Sequence, residues 1–128
     1  MRRVALDTNR ATDLFRGDAD LAAQLSVCDE VWLPLIVLGE MQAGFLGGER
    51  SSKNEALLRA FLSRPTVAVL LPDRETARHY AQILVQLKRL GQPIPTNDLW
   101  IAALVRQHDL VLITRDRHFG RISQLQVG

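Results

Sequence analysis

Four carboxylates stand in four separated stretches of the chain: Asp7 in Leu6-Asp7-Thr8-Asn9, Glu40 after Gly39, Asp98 in Asn97-Asp98-Leu99-Trp100, and Asp116 in Thr114-Arg115-Asp116. Brought within a few ångströms of one another, such groups repel, and burial adds to the cost, so a bare cluster raises its own pKa values. A divalent cation reverses that balance. Mg²⁺ and Mn²⁺ take hard oxygen ligands, and Mg²⁺ keeps several waters while using a few carboxylates and a substrate phosphate. A site of this kind can activate a water and neutralise charge developing on a phosphodiester. It needs no histidine, and His79, His108 and His118 lack zinc-like spacing.

Positioning four acids this far apart in sequence requires an ordered alternation of elements. Val4–Thr8 is a short apolar run ending in polar residues, as a buried strand does. Asn9–Arg16 follows as a brief helix closed by Gly17, and Asp20–Cys28 places Leu21, Ala22 and Leu25 on one helical face. Val31–Leu33 is a second strand. Pro34 suits the first turn of a helix reaching about Phe45, ended by Gly47-Gly48. Ser52 and Glu55 have capping-box spacing for a helix to about Ser63. Pro65 breaks it, and Thr66–Leu71 is a third strand, apolar on both faces.

Asp73 can cap a long helix to Arg89, stopped by Gly91. After the loop Gln92–Pro95, Thr96 or Asn97 caps a helix over Asp98–Gln107, Leu110–Thr114 forms a fourth strand, and Leu125–Val127 a weak last one. Continuously apolar strands alternating with helices imply an α/β fold, a three-layer α/β/α sandwich around a central, mostly parallel sheet. Ligands of such sheets bind at the carboxyl ends of the strands. Asp7 ends the first strand, Asp116 follows the fourth, Asp98 starts the helix leading into it, and Glu40 lies mid-helix after the second, so all four can meet at one sheet edge.

Each acid also has a plainer explanation. Asp7 can cap the following helix, although Thr8 and Asn9 can do so too. Glu40 can pair with an arginine within its apolar helix. Asp98 can compensate a helix dipole, and Asp116 can be an ordinary turn residue. Asn9 and Thr114, with Thr8 beside them, are polar residues at strand ends that can order the carboxylates or hold a metal-bound water. His118 reads as a lone surface histidine, and Trp32 and Trp100 as core residues.

The chain has 128 residues, 47% hydrophobic and 23% charged, enough for one domain with an aliphatic core. Its single cysteine, Cys28, excludes an internal disulfide and suits a reducing compartment. Val31–Leu38 is too short to span a membrane, and Asp7 interrupts the apolar start that follows Arg2-Arg3, so no signal peptide or membrane anchor is expected. One intracellular globular unit is the expectation. The net charge is +2, but setting the four acids aside leaves ten against sixteen Lys and Arg. Arg10, Arg115, Arg117 and Arg121 follow the strand ends that carry Asp7 and Asp116, where they can meet a phosphate backbone.

The four stretches, in this order and over essentially the whole length, resemble the PIN-domain family, and more narrowly its VapC-type toxins of type II toxin–antitoxin pairs. The resemblance implies one PIN-like nuclease domain over residues 1–128, acting in the cytoplasm as a Mg²⁺- or Mn²⁺-dependent endoribonuclease. It assigns the acidic quartet to Asp7, Glu40, Asp98 and Asp116, with Asn9 and Thr114 in support. The implied chemistry is in-line attack of a metal-activated water on an RNA phosphodiester, with one ion or two left open. The family also implies a homodimer and a small antitoxin whose tail plugs the site. Some relatives carry Asn at the place of Asp116 and another acid shortly after, where this chain has Arg117-His118-Phe119.

Rival readings are a non-catalytic PIN-like module that binds RNA or a protein, a nuclease acting on DNA, and a receiver-type signalling domain. The last needs a phosphate-gripping lysine after a late strand, whereas Lys53 and Lys88 both fall in expected helices.

Overall fold

The first strand, β1 (Arg3–Leu6), is buried from Val4 onward and lies at the centre of a five-stranded sheet of order β3-β2-β1-β4-β5 in the computed structural model, which describes residues 1–128. Its neighbours are β2 (Glu30–Pro34) and β4 (Val111–Ile113), with β3 (Val67–Leu70) and β5 (Gln126–Val127) at the edges. Every pairing is parallel, and Val4 sits opposite Val31 on one side and Val111 on the other. A central strand covered on both faces must be apolar at every position, which is why Val4-Ala5-Leu6 reads as a run instead of an alternation.

From β1 the chain moves through α1 (Thr8–Phe15) and α2 (Ala19–Ser26) to β2, then through α3 (Leu35–Leu46) and α4 (Ser51–Leu62) to β3, always in one direction across the sheet. It then returns through α5 (Arg74–Leu90) and α6 (Thr96–Gln107) to β4, on the far side of β1. Right-handed crossovers therefore put α1–α4 on one face and α5 and α6 on the other. The return passage ends in a 3-10 turn, Arg117–Arg121, tied to α5 where Gln86 donates to the Arg121 carbonyl at 3.1 Å and accepts from the Ser123 N–H at 3.2 Å. The fold is the expected three-layer sandwich, with the sheet wholly parallel.

The core is a single cluster of aliphatic side chains in which Phe61 and Phe119 are the only fully packed aromatics. Leu99 and Ile101–Val105 are all buried, because α6 packs against α5, α3 and β4, and Ala102 and Ala103 allow close approach. Gly91 ends α5 in the left-handed conformation (φ 65°), as its glycine predicts.

Local details differ from expectation. The first helix starts at Thr8, not Asn9, and the first strand stops at Leu6, because Asp7 itself is the helix cap, its carboxylate accepting from the Arg10 N–H at 2.9 Å. The second helix begins at Ala19 because Asp18 caps it. No capping box forms at Ser52: α4 begins one residue earlier, after Arg50, which leaves Ser52 inside the first turn. The third strand is shorter than Thr66–Leu71, running Val67–Leu70, and although apolar on both faces it lies at the sheet edge, where Ala68 is exposed and Val69 half-buried.

Candidate active site

Strand order reverses beside β1: the chain proceeds from β1 to β2 and β3 on one side, while β4 lies on the other. The connections leaving β1 and β4 consequently diverge to opposite faces and leave a crevice at their carboxyl ends, the usual ligand position in open parallel sheets. An open cleft of about 460 Å³ occupies this place. Asp7, Thr8 and Asn9 line it from the end of β1, Glu40 from α3, Pro95–Asp98 from the start of α6, and Asp116 from the segment after β4. The structure thus brings all four carboxylates of the sequence reading into one cleft.

Asp7, Glu40 and Asp116 are held by hydroxyl, amide or backbone N–H donors, and Asp98 stands beside the His118 imidazole. Asp7 is 2% exposed, and its N–H extends the β1–β4 ladder to the Ile113 carbonyl at 3.3 Å. Its two carboxylate oxygens divide their partners, one taking the Arg10 N–H and the other the Thr114 hydroxyl. Thr114 in turn accepts from the Asp116 N–H at 3.0 Å, which joins the ends of β1 and β4 through one side chain. Thr8 donates to Glu40 at 2.8 Å, and Asn9 donates to Asp116 at 3.3 Å.

No lysine or arginine lies within ion-pairing distance of Asp7, Glu40, Asp98 or Asp116. The electrostatic consequence follows directly. Burial raises the Asp7 pKa above its ordinary value, with nearby Asp116 adding to the rise and the Thr114 and Arg10 hydrogen bonds, together with the Arg115 charge, opposing it. Burial also raises Asp98, with Asp116 and Glu40 pushing the same way and His118 pulling back.

The arginines proposed to meet phosphate stand outside this cleft. Arg10 is engaged by Asp13 at 3.0 Å and Asp18 at 3.5 Å, and Arg115 grips both oxygens of Asp13 at 3.0 and 3.2 Å. Arg117 and Arg121 are exposed on the 3-10 turn. Trp100 is half-buried and stacks on Tyr80 (centroids 4.2 Å apart), and Trp32 packs at the core margin with its indole donating to Glu30.

The sequence reading missed His118. Far from standing alone on the surface, its Nε2 lies 2.9 Å from Asp98 Oδ2, without hydrogen-bond geometry and with no other partner. One ring nitrogen of His118 and one oxygen each from Asp98 and Asp116 fall within 4.8 Å of one another, the tightest group of potential metal ligands in the chain. Asp7 and Glu40 line the same cleft outside that group. The available signal was the two-residue step from Asp116 to His118, which a tight turn can bring to one side.

Two helix N-termini also open on the cleft. Asp7 caps α1, and Asp98 sits in the first turn of α6, which has Pro95 at its cap and no side-chain cap. Their partial positive ends favour anionic groups, whether these carboxylates or an incoming phosphate. Oxygen donors beside the His118 imidazole, with no lysine or arginine among them, form a donor set suited to a divalent ion.

The chain as a whole has counterparts among known proteins. Residues 4–125 match the family model described as PIN domain. Ribonuclease VapC1 of Haemophilus influenzae (strain R2866) is 32% identical over 126 residues, covering 94% of this chain and 92% of the relative. Toxin FitB of Neisseria gonorrhoeae is 30% identical over 121 residues, covering 88% of this chain and 87% of its own. Among solved structures, the DNA-bound VapBC of Salmonella typhimurium superposes with a TM-score of 0.91 at 26% identity, across 100% of this chain and 98% of that one. With the match running from β1 to beyond the 3-10 turn, the chain belongs to the PIN domain family.

Proposed function

We propose that this chain is the endoribonuclease toxin of a toxin–antitoxin pair, hydrolysing RNA phosphodiesters with Mg²⁺ or Mn²⁺ held among Asp7, Asp98, Asp116 and Glu40. The observation that carries this reading is the cleft itself, where four carboxylates converge and no lysine or arginine neutralises them. A scaffold that only bound a partner would gain nothing from keeping that repulsion. Bound there, a divalent ion would supply Lewis acidity toward water and phosphate oxygen.

The residues of the chain do the positioning. Thr114 fixes the orientation of Asp7 and, through the Asp116 N–H, the path of the segment after β4. Thr8 sets Glu40, and Asn9 sets Asp116. The uncapped first turn of α6 offers N–H groups to an anionic oxygen of the substrate. Arg117 and Arg121, exposed beyond β4, are placed to attract the RNA backbone from the rim, as are Arg10 and Arg115 once released from Asp13.

The names of the relatives support the biological setting. One is a ribonuclease and another a toxin, and the Salmonella neighbour is a VapBC complex. They support a small cognate antitoxin for this chain, and we propose with it a homodimeric state, a cytoplasmic location and a single PIN unit over residues 1–128. No helix is long and apolar enough to cross a membrane.

The test is an RNA cleavage assay with and without Mg²⁺ or Mn²⁺, comparing the native chain with Asp7→Asn. Metal-dependent cleavage lost in the variant supports the reading. Cleavage without metal, or full activity in Asp7→Asn, overturns it, and RNA binding with no cleavage under any condition returns the chain to a non-catalytic module. A parallel arm with single-stranded DNA separates a ribonuclease from a general nuclease. Expression of the native chain alone arrests growth, and expression of Asp7→Asn does not.

A further inference from the structure

We infer that His118, through Nε2, is a direct ligand of the divalent ion alongside Asp98 and Asp116, and that this nitrogen donor biases the site from Mg²⁺ toward Mn²⁺. The inference rests on the metal-dependent reading above and goes beyond its acidic quartet.

Three observations carry it. First, Nε2 is shielded from solvent and faces the Asp98 carboxylate, with Oδ2 2.9 Å away at ion-pairing distance but off hydrogen-bond alignment, so the nitrogen and an acid of the cleft already share one small space. Second, that separation fits a shared ion. Ligands about 2.1 Å from an octahedral centre lie about 3 Å apart when adjacent and about 4.2 Å apart when opposite. The 2.9 Å separation matches the adjacent edge, and the 4.8 Å span of the group with Asp116 needs only small movement to close.

Third, the imidazole is fixed in place. His118 belongs to the Arg117–Arg121 turn, and the next residue, Phe119, is wholly buried in the core. The two rings lie 4.7 Å apart, so Phe119 anchors the turn and holds His118 against Asp98. A merely solvated histidine would need no such support.

The chemical consequence concerns metal choice. Carboxylates suit Mg²⁺ and Mn²⁺ alike, whereas imidazole suits transition ions and gives Mg²⁺, the harder cation, little in return. Two oxygens and one nitrogen therefore make a site more tolerant of Mn²⁺ than an all-oxygen one.

The experiment is pulsed electron paramagnetic resonance on the full-length protein loaded with Mn²⁺ and labelled with ¹⁵N-histidine, paired with calorimetric titration by Mn²⁺ and Mg²⁺. The native protein shows the coupling of one directly bonded ¹⁵N, and His118→Gln loses it. The same variant weakens Mn²⁺ binding by about tenfold or more, the scale seen when even an outer partner of a ligand is removed, and Mg²⁺ binding by less than about threefold. His118→Asp restores Mg²⁺ binding more than Mn²⁺ binding. Bound Mn²⁺ with no ¹⁵N coupling in the native protein, or equal losses for both ions in His118→Gln, overturns the inference and leaves the quartet standing. Failure of the native protein to bind either ion overturns the metal-dependent reading as well. The native spectrum decides the matter even where a variant does not fold.

Discussion

Two aspartates only six residues apart, both belonging to α1 and its cap, have opposite electrostatic fates. Asp13 receives Arg10 from its own helix and both donors of Arg115 from beyond β4, and the Arg115 hydrogen bonds, with Arg10 behind them, lower its pKa. Asp7 is nearly inaccessible, makes no ion pair, and is raised by burial, with Arg115 acting on it only at a distance. The chain has arginines within reach of the cleft and commits them to its neighbour. Where acids serve structure, this fold pairs them with guanidinium groups; in the cleft they have hydroxyl, amide and N–H donors, and the His118 imidazole beside Asp98.

The widest separation between the two groups is expected in catalysis. Asp98→Asn lowers RNA cleavage by about 10³-fold or more, since loss of metal-held charge stabilisation is worth several kcal/mol. Asp13→Ala, which removes the same formal charge, leaves cleavage within about tenfold of native. Comparable losses in both variants would erase the distinction.

Ligand-linked stability comes next. With Mg²⁺ or Mn²⁺ at a hundred times its Kd, the native protein and Asp13→Ala gain about 2.7 kcal/mol, read as a higher Tm, whereas Asp7→Asn gains much less. Without metal the order changes. Asp13→Ala lowers stability by about 1 kcal/mol, the upper end for exposed ion pairs, because two arginines lose a partner. Asp7→Asn holds or raises Tm in the same buffer, since it removes a buried charge.

The subtlest effect is in pH. A carboxylate whose pKa is raised by folding holds more protons folded than unfolded between the two values, so its contribution to stability falls as pH rises through that window. Metal-free native protein therefore loses ground to Asp7→Asn as pH climbs above the ordinary aspartate value of 3.8, as measured by paired denaturant melts. Asp13, lowered by its arginines, runs the other way: Asp13→Ala loses ground as pH rises from below its folded pKa toward 3.8. A parallel pH response in both variants would break the contrast.

The quartet was legible because its signals are local. Apolar runs such as Val4-Ala5-Leu6 mark strands, Gly91 and Pro95 punctuate helices, and an acid following such a run falls at a strand end by construction. What escaped is tertiary. His118 gains its meaning from Asp98, twenty residues earlier in another helix, and from a turn that Phe119 pins into the core. The claim of Asp13 on Arg115 spans 102 residues. The half-exposure of β3 depends on its being an edge strand, which composition does not encode. Asp7 shows the limit most sharply: helix cap and cleft acid were weighed as alternatives, and one side chain has both placements.

The bond from Thr114 to Asp7 joins positions 107 apart, and β1 can complete its ladder only when β4 is available. At about 5–20 residues per second of synthesis, roughly 5–20 s pass between the making of these two residues. Throughout that interval the early acids belong to no cleft. The cleft therefore closes only once β4 is available to pair with β1, however early the first helices form.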